Sequence, residues 1–243
     1  MHTEYRRIVS NADKAILFIH GIVGTPNHFR IFLPLIPDNM SVYNLLLDGH
    51  GKGVIDFANT SMAKWEQQVE DAVAELSATH KEIYIAAHSM GTLFAITQAI
   101  QNPTVKKLFL LAVPLKLFLQ PRVFSNAMKV YLGKVSPADA VAMASKKCYG
   151  IAPDKNLLHY LGWIPRYLEL FRKIKATRKQ LPQLTTPCLV FQSAKDELIS
   201  KGASKILNKI PCVRVQELAG SGHYYYEKED LALLQNAFAD FLT

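Results

Sequence analysis

The sequence predicts an α/β protein with a doubly wound, mostly parallel sheet and a helical cap inserted between two of its strands. Short apolar runs alternate with segments of helical periodicity on both sides of one long interval, an order typical of a parallel sheet covered by helices. The interval, residues 114–181, contains helical patterns and five prolines instead of strands. The chain of 243 residues, 49% of them hydrophobic, can bury one large core. We therefore expect a single domain.

Four strands are predicted before the insertion. The runs have strand length, lie beside Gly, Pro, Asn or Asp, and are apolar almost throughout, as strands buried in parallel sheets are. They are "AILFIH" at 15–20, "VYNLLL" at 42–47, "IYIAA" at 83–87 and "KLFLLA" at 107–112.

An amphipathic helix is predicted between the second and third of these strands. Apolar residues recur there every three or four positions, behind Thr60 or Ser61 as the candidate N-cap: Met62, Trp65, Val69, Val73 and Leu76. After residue 181 the alternation resumes with a strand at 187–194, a helix near 201–209, a strand at 213–218 and a closing helix at about 228–241. The core of the domain is thus predicted to comprise residues 1–113 and 182–243, with the cap at about 114–181.

The cap carries the positive charge of the chain. Its 13 Lys or Arg against 3 Asp or Glu give a local net charge of +10, whereas the whole chain has +8. No RNP-like or zinc-finger pattern accompanies the charge, so no nucleic-acid partner is expected. A solvated basic face is the favoured interpretation, with attraction to anionic substrates or to a membrane surface as the alternative.

The amino-terminal segment and the three cysteines indicate the cellular compartment in which the protein is expected. The segment "MHTEYRRIVSNADK" has no apolar stretch behind its arginines, which disfavours a secretory signal. No apolar run reaches the length of a membrane span, so we expect a cytoplasmic protein without stable membrane insertion. Cys148, Cys188 and Cys212 lack disulfide or zinc-site spacing. Neither a metal nor an organic cofactor is predicted.

The segment "IAAHSMGTLFA" predicts a nucleophile elbow. A serine at a strained turn between strand and helix needs small residues two positions before and after it. Ala87-His88-Ser89-Met90-Gly91 supplies this arrangement, with Ala in place of the usual first Gly. The alternative is that Ser89 merely caps the helix. His88 is interpreted as the variable residue of the motif and a spectator.

The elbow and its setting resemble the α/β-hydrolase superfamily, in particular bacterial carboxylesterases and monoacylglycerol lipases. The resemblance extends over the predicted sheet portions, about 175 of the 243 residues. It implies the α/β-hydrolase fold and a triad in the chain order Ser, acid, His. A serine hydroxyl needs such a base, and the base needs an orienting acid.

His223 is the candidate base, in the Gly-flanked turn "LAGSGHYYYEKEDL" after the predicted strand at 213–218. The alternative is that His223 is an ordinary surface or core histidine without a catalytic role. The candidate acid is Asp196, after the preceding strand in "CLVFQSAKDELIS". The alternatives are that Asp196 caps the next helix or that Glu197 takes the role.

Two backbone amides are candidates for an oxyanion hole. Met90, the residue after the nucleophile, supplies one. The resemblance of "HGIVGTPNHF" to the family's His-Gly loop implies Ile22 as the other, with His20 structural. "LDGHGKG" at 47–53 resembles a loop common in the family and is given no catalytic role.

These residues together predict a serine hydrolase acting on carboxylic esters of short to medium acyl chains. The small-molecule ester is its expected partner, and "LKLFLQPRVF" and "LLHYLGWIPRYLELF" in the cap are expected to line an acyl pocket or to pack the cap onto the sheet. The alternatives are a thioesterase, an aminopeptidase or a carbon-carbon bond hydrolase with the same triad, and a non-catalytic ligand-binding protein of this fold. The scarcity of acids in the cap disfavours an aminopeptidase.

Overall fold

The computed structural model of the chain describes residues 2–118 and 134–243. The strands of this part form one seven-stranded sheet in the order β1-β3-β2-β4-β5-β6-β7, parallel except for β1. Their bounds are β1 Tyr5–Arg7, β2 Lys14–Ile19, β3 Ser41–Leu45, β4 Glu82–His88, β5 Val105–Leu111, β6 Cys188–Ser193 and β7 Val213–Leu218. The predicted fold class is confirmed.

Helices cover both faces of the sheet. We number those of the described residues α1 Val54–Ala58, α2 Met62–Ser77, α3 Met90–Gln101, α4 Ala140–Cys148, α5 Ile164–Gln180, α6 Gly202–Leu207 and α7 Lys228–Leu242. On one face α2 and α3 bury Trp65 and Phe94. On the other face α7 buries Phe238 with Phe29 from a 3-10 helix, Pro26–Ile31. The two apolar clusters pack against opposite faces of the sheet. The edge formed by the carboxyl ends of the parallel strands lies between these two layers.

The amino-terminal strand β1 was not predicted. Tyr5, Arg6 and Arg7 are polar or amphipathic and mostly exposed, so they lack the apolar run that identifies a strand. They pair antiparallel with β3 at the edge of the sheet, in a register that sets Tyr5 opposite Asn44. Backbone pairing, invisible in the side-chain pattern, forms this element.

The start of α2 distinguishes the two candidate caps. Ser61 is the N-cap, with extended backbone angles, and its hydroxyl accepts a hydrogen bond from the amide of Lys64 at 3.1 Å. The side chain of Thr60 is buried instead. Ser61 therefore satisfies one of the amides that a helix leaves free in its first turn.

The described part of the insertion, residues 134–181, is helical. It holds α4, a 3-10 helix at Leu157–Trp163 and α5. The helix α5 packs on α2 and α3, with Leu170 and Ile174 buried. Its polar residues reach the core as well: Glu169 accepts from the amide of Met62 at 3.0 Å, and Lys173 donates to Thr97 at 3.0 Å. Apolar and polar contacts thus both attach the insertion to the helices α2 and α3.

A second attachment is made by peptide groups. The amide of Gly150 donates to the carbonyl of Val23 at 2.8 Å, and its carbonyl accepts from the amide of Gly51 at 2.6 Å. The amide of Ala152 donates to the carbonyl of Lys52 at 2.8 Å. We call residues 150–152 and these partners the backbone seam. It joins the insertion to the loops after β2 and β3.

In the described ranges, no helix combines the length and apolar character needed to cross a bilayer. The three cysteines are free thiols, with Cys148 and Cys188 buried.

Candidate active site

Ser89 stands at a sharp turn between β4 and α3. Its φ is 51° and its ψ −122°, a conformation that costs an L-residue of order 1–3 kcal/mol. Ser89 occupies the N-cap position of α3, but its side chain makes no cap hydrogen bond. The alternative interpretation as an ordinary cap therefore has no support, and the strained turn leaves the hydroxyl free for another use.

Close backbone packing explains the small residues of the motif. A β-carbon on Gly91 would lie 2.2 Å from the carbonyl oxygen of Ile19, so no larger residue fits there. A β-carbon on Gly21 would lie 2.9 Å from the β-carbon of Ser89. Ala87 is fully buried in β4 between β2 and β5, and its methyl group belongs to the apolar cluster that contains Trp65 and Phe94. The departure from glycine at the first motif position is thus compatible with the turn.

Left-handed backbone angles cluster at this edge of the sheet. Val23 has φ 52° and Ala112 has φ 56°, beside Ser89. The three residues follow β2, β5 and β4, which are neighbours in the sheet. A β-branched residue such as valine rarely adopts this conformation. Strain concentrated at one edge is typical of a functional site.

Asp196 and His223 form a buried pair at the same edge. His223 Nδ1 donates to Asp196 Oδ2 at 2.8 Å, and the two residues are 3% and 5% exposed. Asp196 Oδ1 also accepts from the amides of Leu198 and Ile199, at 2.8 and 2.9 Å. Asp196 therefore both organises the turn after β6 and holds the imidazole, but it does not cap the next helix, α6, whose N-cap is Lys201.

Glu197 contacts His223 in a different way. Its Oε2 accepts from the backbone amide of His223 at 3.1 Å, while the imidazole is bonded to Asp196. His223 Nε2 is buried and has no hydrogen-bond partner among the described residues. The free nitrogen is the one that a general base uses when its Nδ1 is held by a carboxylate.

The loop after β2 is held by a neutral histidine. His20 is fully buried; its Nδ1 donates to the carbonyl of Gly21 at 2.9 Å, and its Nε2 accepts from the amide of Leu47 at 3.1 Å. Burial, then the neighbouring His50, holds the pKa of His20 well below its usual value. Ile22 lies in the tight turn that the amide of Gly24 closes by donating to Gly21. The predicted structural role of His20 matches these contacts.

The loop "LDGHGKG" follows β3 and packs beneath His20. His50 Nδ1 lies 3.2 Å from the carbonyl oxygen of Leu47 and 3.1 Å from that of Asp48, to which it donates. Burial lowers the pKa of His50 to about 4. The loop thus supports the site without presenting a reactive group.

Two further histidines were not recognised from the sequence as parts of the site. His88 Nε2 lies 3.0 Å from the carbonyl oxygen of His223, and the ring of His28 stacks on His88 with centroids 3.9 Å apart. His28 Nε2 lies 3.0 Å from the hydroxyl of Tyr226. His88, interpreted from the sequence as a spectator, thus contacts the main chain of His223. The signal available in sequence was a polar ring directly beside Ser89, inside an otherwise apolar run.

Tyrosines form one wall beside the base. The ring of Tyr224 packs edge-on against His223, with centroids 4.7 Å apart, and Tyr149 packs against Tyr224 at 5.6 Å. Burial raises the pKa of Tyr149 to about 12. Both phenols therefore stay protonated at neutral pH and keep a hydroxyl donor. Among the described residues, no group of three His, Cys, Asp or Glu side chains could hold a metal ion.

The site lies where a doubly wound sheet places its reactive loops, at the carboxyl ends of β4, β6 and β7. This sheet order, the elbow and the buried Asp-His pair define an α/β-hydrolase, and the chain is a serine hydrolase. A family model described as "Serine aminopeptidase, S33" matches residues 10–226. The chain belongs to that family.

Individual relatives are lipases by description. A thermostable monoacylglycerol lipase from a Bacillus species is 22% identical over 200 residues, covering 81% of this chain and 76% of the relative. A monoglyceride lipase homolog of Monkeypox virus is 24% identical over 203 residues, covering 75% and 71%.

Among solved structures, the monoacylglycerol lipase of Paleococcus ferrophilus superposes with a TM-score of 0.69 at 18% identity, covering 99% of this chain and 98% of the other. The chain thus resembles monoacylglycerol lipases, as the sequence motifs predict.

Proposed function

We propose that the protein hydrolyses carboxylic esters of short to medium acyl chains, as a carboxylesterase or monoacylglycerol lipase. One observation carries the proposal: a buried imidazole is held by Asp196 through Nδ1, has no partner at Nε2 in the described part of the chain, and packs against His88, the neighbour of the strained Ser89, with centroids 4.8 Å apart. This is the arrangement of a base awaiting a hydroxyl proton.

Ser89 is the proposed nucleophile, His223 the base and Asp196 the acid. The Ser89 oxygen attacks the acyl carbonyl while its proton passes to His223 Nε2. Asp196 remains ionised and stabilises the imidazolium that forms. The imidazolium then protonates the leaving alkoxide. Water attacks the acyl-enzyme in the same way, giving its proton to His223, which returns it to Ser89 as the acid product leaves.

The amides of Ile22 and Met90 are the proposed oxyanion donors. Met90 is the first residue of α3, where amides lack an intrahelical partner and the helix dipole favours negative charge. Ile22 lies in the turn Gly21–Gly24, whose first residue packs against Ser89. Each donor of this kind contributes roughly 3 kcal/mol to the transition state.

Apolar side chains of the insertion support an acyl substrate. Six large hydrophobic residues there are about half to three-quarters exposed: Leu157, Leu158, Leu161, Ile164, Leu168 and Phe171. We propose that they provide the apolar surface on which an acyl chain binds. Of the other predicted lining segment, "LKLFLQPRVF", the part from position 119 onward lies outside the described residues. The names of the two related lipases point to the same substrate class.

The experiment is hydrolysis of p-nitrophenyl esters and monoacylglycerols of increasing chain length by the wild type and by Ser89→Ala. We expect the variant to lose a factor of about a thousand or more in kcat. Ser77→Ala is the matched control, because Ser77 ends α2 at the opposite edge of the sheet and its hydroxyl bonds Thr104. If Ser89→Ala turned over ester at the wild-type rate, the assignment of Ser89 as the nucleophile would be wrong.

Aminoacyl p-nitroanilides in the same panel address the aminopeptidase alternative, which the family description names. Faster release from these anilides than from the esters would overturn the ester assignment. Labelling by a fluorophosphonate probe separates both enzymes from a non-catalytic binding protein, because the latter has no activated serine to label.

A further inference from the structure

Three of the four hydrogen-bonding groups of His223 are bonded to other described residues. Asp196 holds Nδ1 at 2.8 Å, Glu197 accepts from the backbone amide at 3.1 Å, and His88 lies 3.0 Å from the backbone carbonyl. Nε2 is the fourth group and has no partner in this part of the chain. The residue is therefore fixed through its main chain as well as through its ring.

The bond from His88 has a defined direction. A carbonyl oxygen accepts and never donates, so His88 Nε2 must carry the proton. His88 is 1% exposed. Its burial, and then the charges that His28 and His223 would carry, hold the pKa of His88 well below its usual value. The ring is thus neutral at physiological pH, and its one N–H is committed to the carbonyl of His223.

The two bonded residues are distant in the sheet. His88 ends β4 and His223 follows β7, and β5 and β6 lie between these strands. No strand pairing therefore sets the distance between the two loops. His28 supports the contact from behind, stacked on His88 at 3.9 Å and close to Tyr226 in the loop of His223.

We propose that His88 is a positioning residue: its Nε2–H holds the carbonyl of His223 and so sets the place of the base relative to the adjacent Ser89. The inference rests on the proposed roles of Ser89 and His223. Loss of the bond leaves the carbonyl of His223 unheld, while Glu197 still accepts from its amide and Asp196 still holds its ring. A misplacement of about 1 Å in such a site costs on the order of a hundredfold in rate.

The test compares His88→Leu with His88→Gln on a p-nitrophenyl ester. Leucine removes the donor at similar volume, whereas the amide of glutamine can reach the place of Nε2. We expect His88→Leu to lower kcat at least tenfold with KM changed less than twofold, and His88→Gln to recover most of kcat. Should the leucine variant not fold, His88→Asn takes its place, because its amide is too short to reach the carbonyl.

His80→Leu is the matched control. His80 is also buried and bonded, through Nε2 to Ser41 at 2.8 Å, but it precedes β4 at the opposite edge of the sheet. We expect it to change the melting temperature and to leave kcat per folded molecule unchanged. Equal kcat in wild type and His88→Leu, or a glutamine variant as slow as leucine or asparagine, would overturn the inference. A wild type that neither turns over ester nor reacts with a fluorophosphonate would instead overturn the proposed function.

Discussion

At the scale of single residues, the two carboxylates after β6, Asp196 and Glu197, bind different parts of His223. Asp196 takes the imidazole and Glu197 the backbone amide. Both are buried beside an imidazole whose other nitrogen has no hydrogen-bond partner within residues 2–118 and 134–243. Chemistry on the ring should therefore depend on Asp196 far more than on Glu197.

Asp196→Asn tests this division. The amide can present its NH2 group to Nδ1 and so impose the wrong tautomer on the imidazole, which would then carry its proton on Nε2. We expect kcat for a p-nitrophenyl ester to fall by a factor of about 10³ to 10⁴. Glu197→Gln is the control, since its carbonyl oxygen can still accept from the amide of His223, and it should lose less than tenfold. The reverse order of losses would assign the acid to Glu197.

The sequence predicts candidate site residues where spacing encodes chemistry. The motif around Ser89 and the loops of Asp196 and His223 are recognisable by residue type and order, and the structure brings Asp196 and His223 into contact. The contacts that His88 and Glu197 make with His223 were not predicted, because both are with its main chain. A carbonyl or an amide is present at every position, so no sequence pattern reveals which side chain will bind it.

At the scale of elements, the strands and helices with apolar periodicity were predicted to within a few residues, since burial of their side chains forms them. The edge strand β1 was missed because main-chain pairing forms it. The same holds for the backbone seam, whose glycine at position 150 looks in sequence like any loop glycine. A β-carbon there would lie 2.0 Å from the γ-carbon of Thr25 and 2.7 Å from the carbonyl oxygen of Gly24.

Gly150→Ala is therefore expected to open the seam. The methyl group cannot be accommodated without moving the loop after β2, at a cost of about 1–3 kcal/mol. The measurement is amide hydrogen exchange, with faster exchange at Gly51 and Ala152, together with urea unfolding. Gly53→Ala is the control, because a β-carbon there would lie 3.4 Å from its nearest neighbour, Asp56 Oδ2, which is an ordinary van der Waals contact. Equal exchange in the two variants would contradict the expectation.

At the scale of the whole molecule, the fold buries several histidines in the neutral state. Burial lowers the pKa of His28 to about 3 and that of His50 to about 4, and holds those of His20 and His88 well below the usual value. In the unfolded chain these groups titrate near 6.5. Between the two ranges the unfolded state binds more protons than the folded state, so stability falls as the pH falls.

The free energy of unfolding should accordingly decrease from pH 7 to pH 5, by about 2 kcal/mol for each such histidine. Urea unfolding of the wild type and of His50→Leu at pH 7 and pH 5 checks this. The decrease in the free energy of unfolding between the two pH values should be about 2 kcal/mol smaller in the variant. Between pH 7 and 8 the difference between the two proteins should stay constant, because the histidine is mostly neutral in both states there. A wild-type stability that does not change between pH 7 and 5 would contradict the prediction.

The backbone seam also bears on how this protein can diversify. Its hydrogen bonds join peptide groups, so they persist whatever side chains the neighbouring positions carry, provided that residue 150 stays glycine. The apolar residues exposed on the 3-10 helix and on α5 make no part of it. Under the proposed function, in which those side chains contact the acyl chain, we expect their replacement to alter substrate preference without detaching the insertion from the loop that holds Ile22.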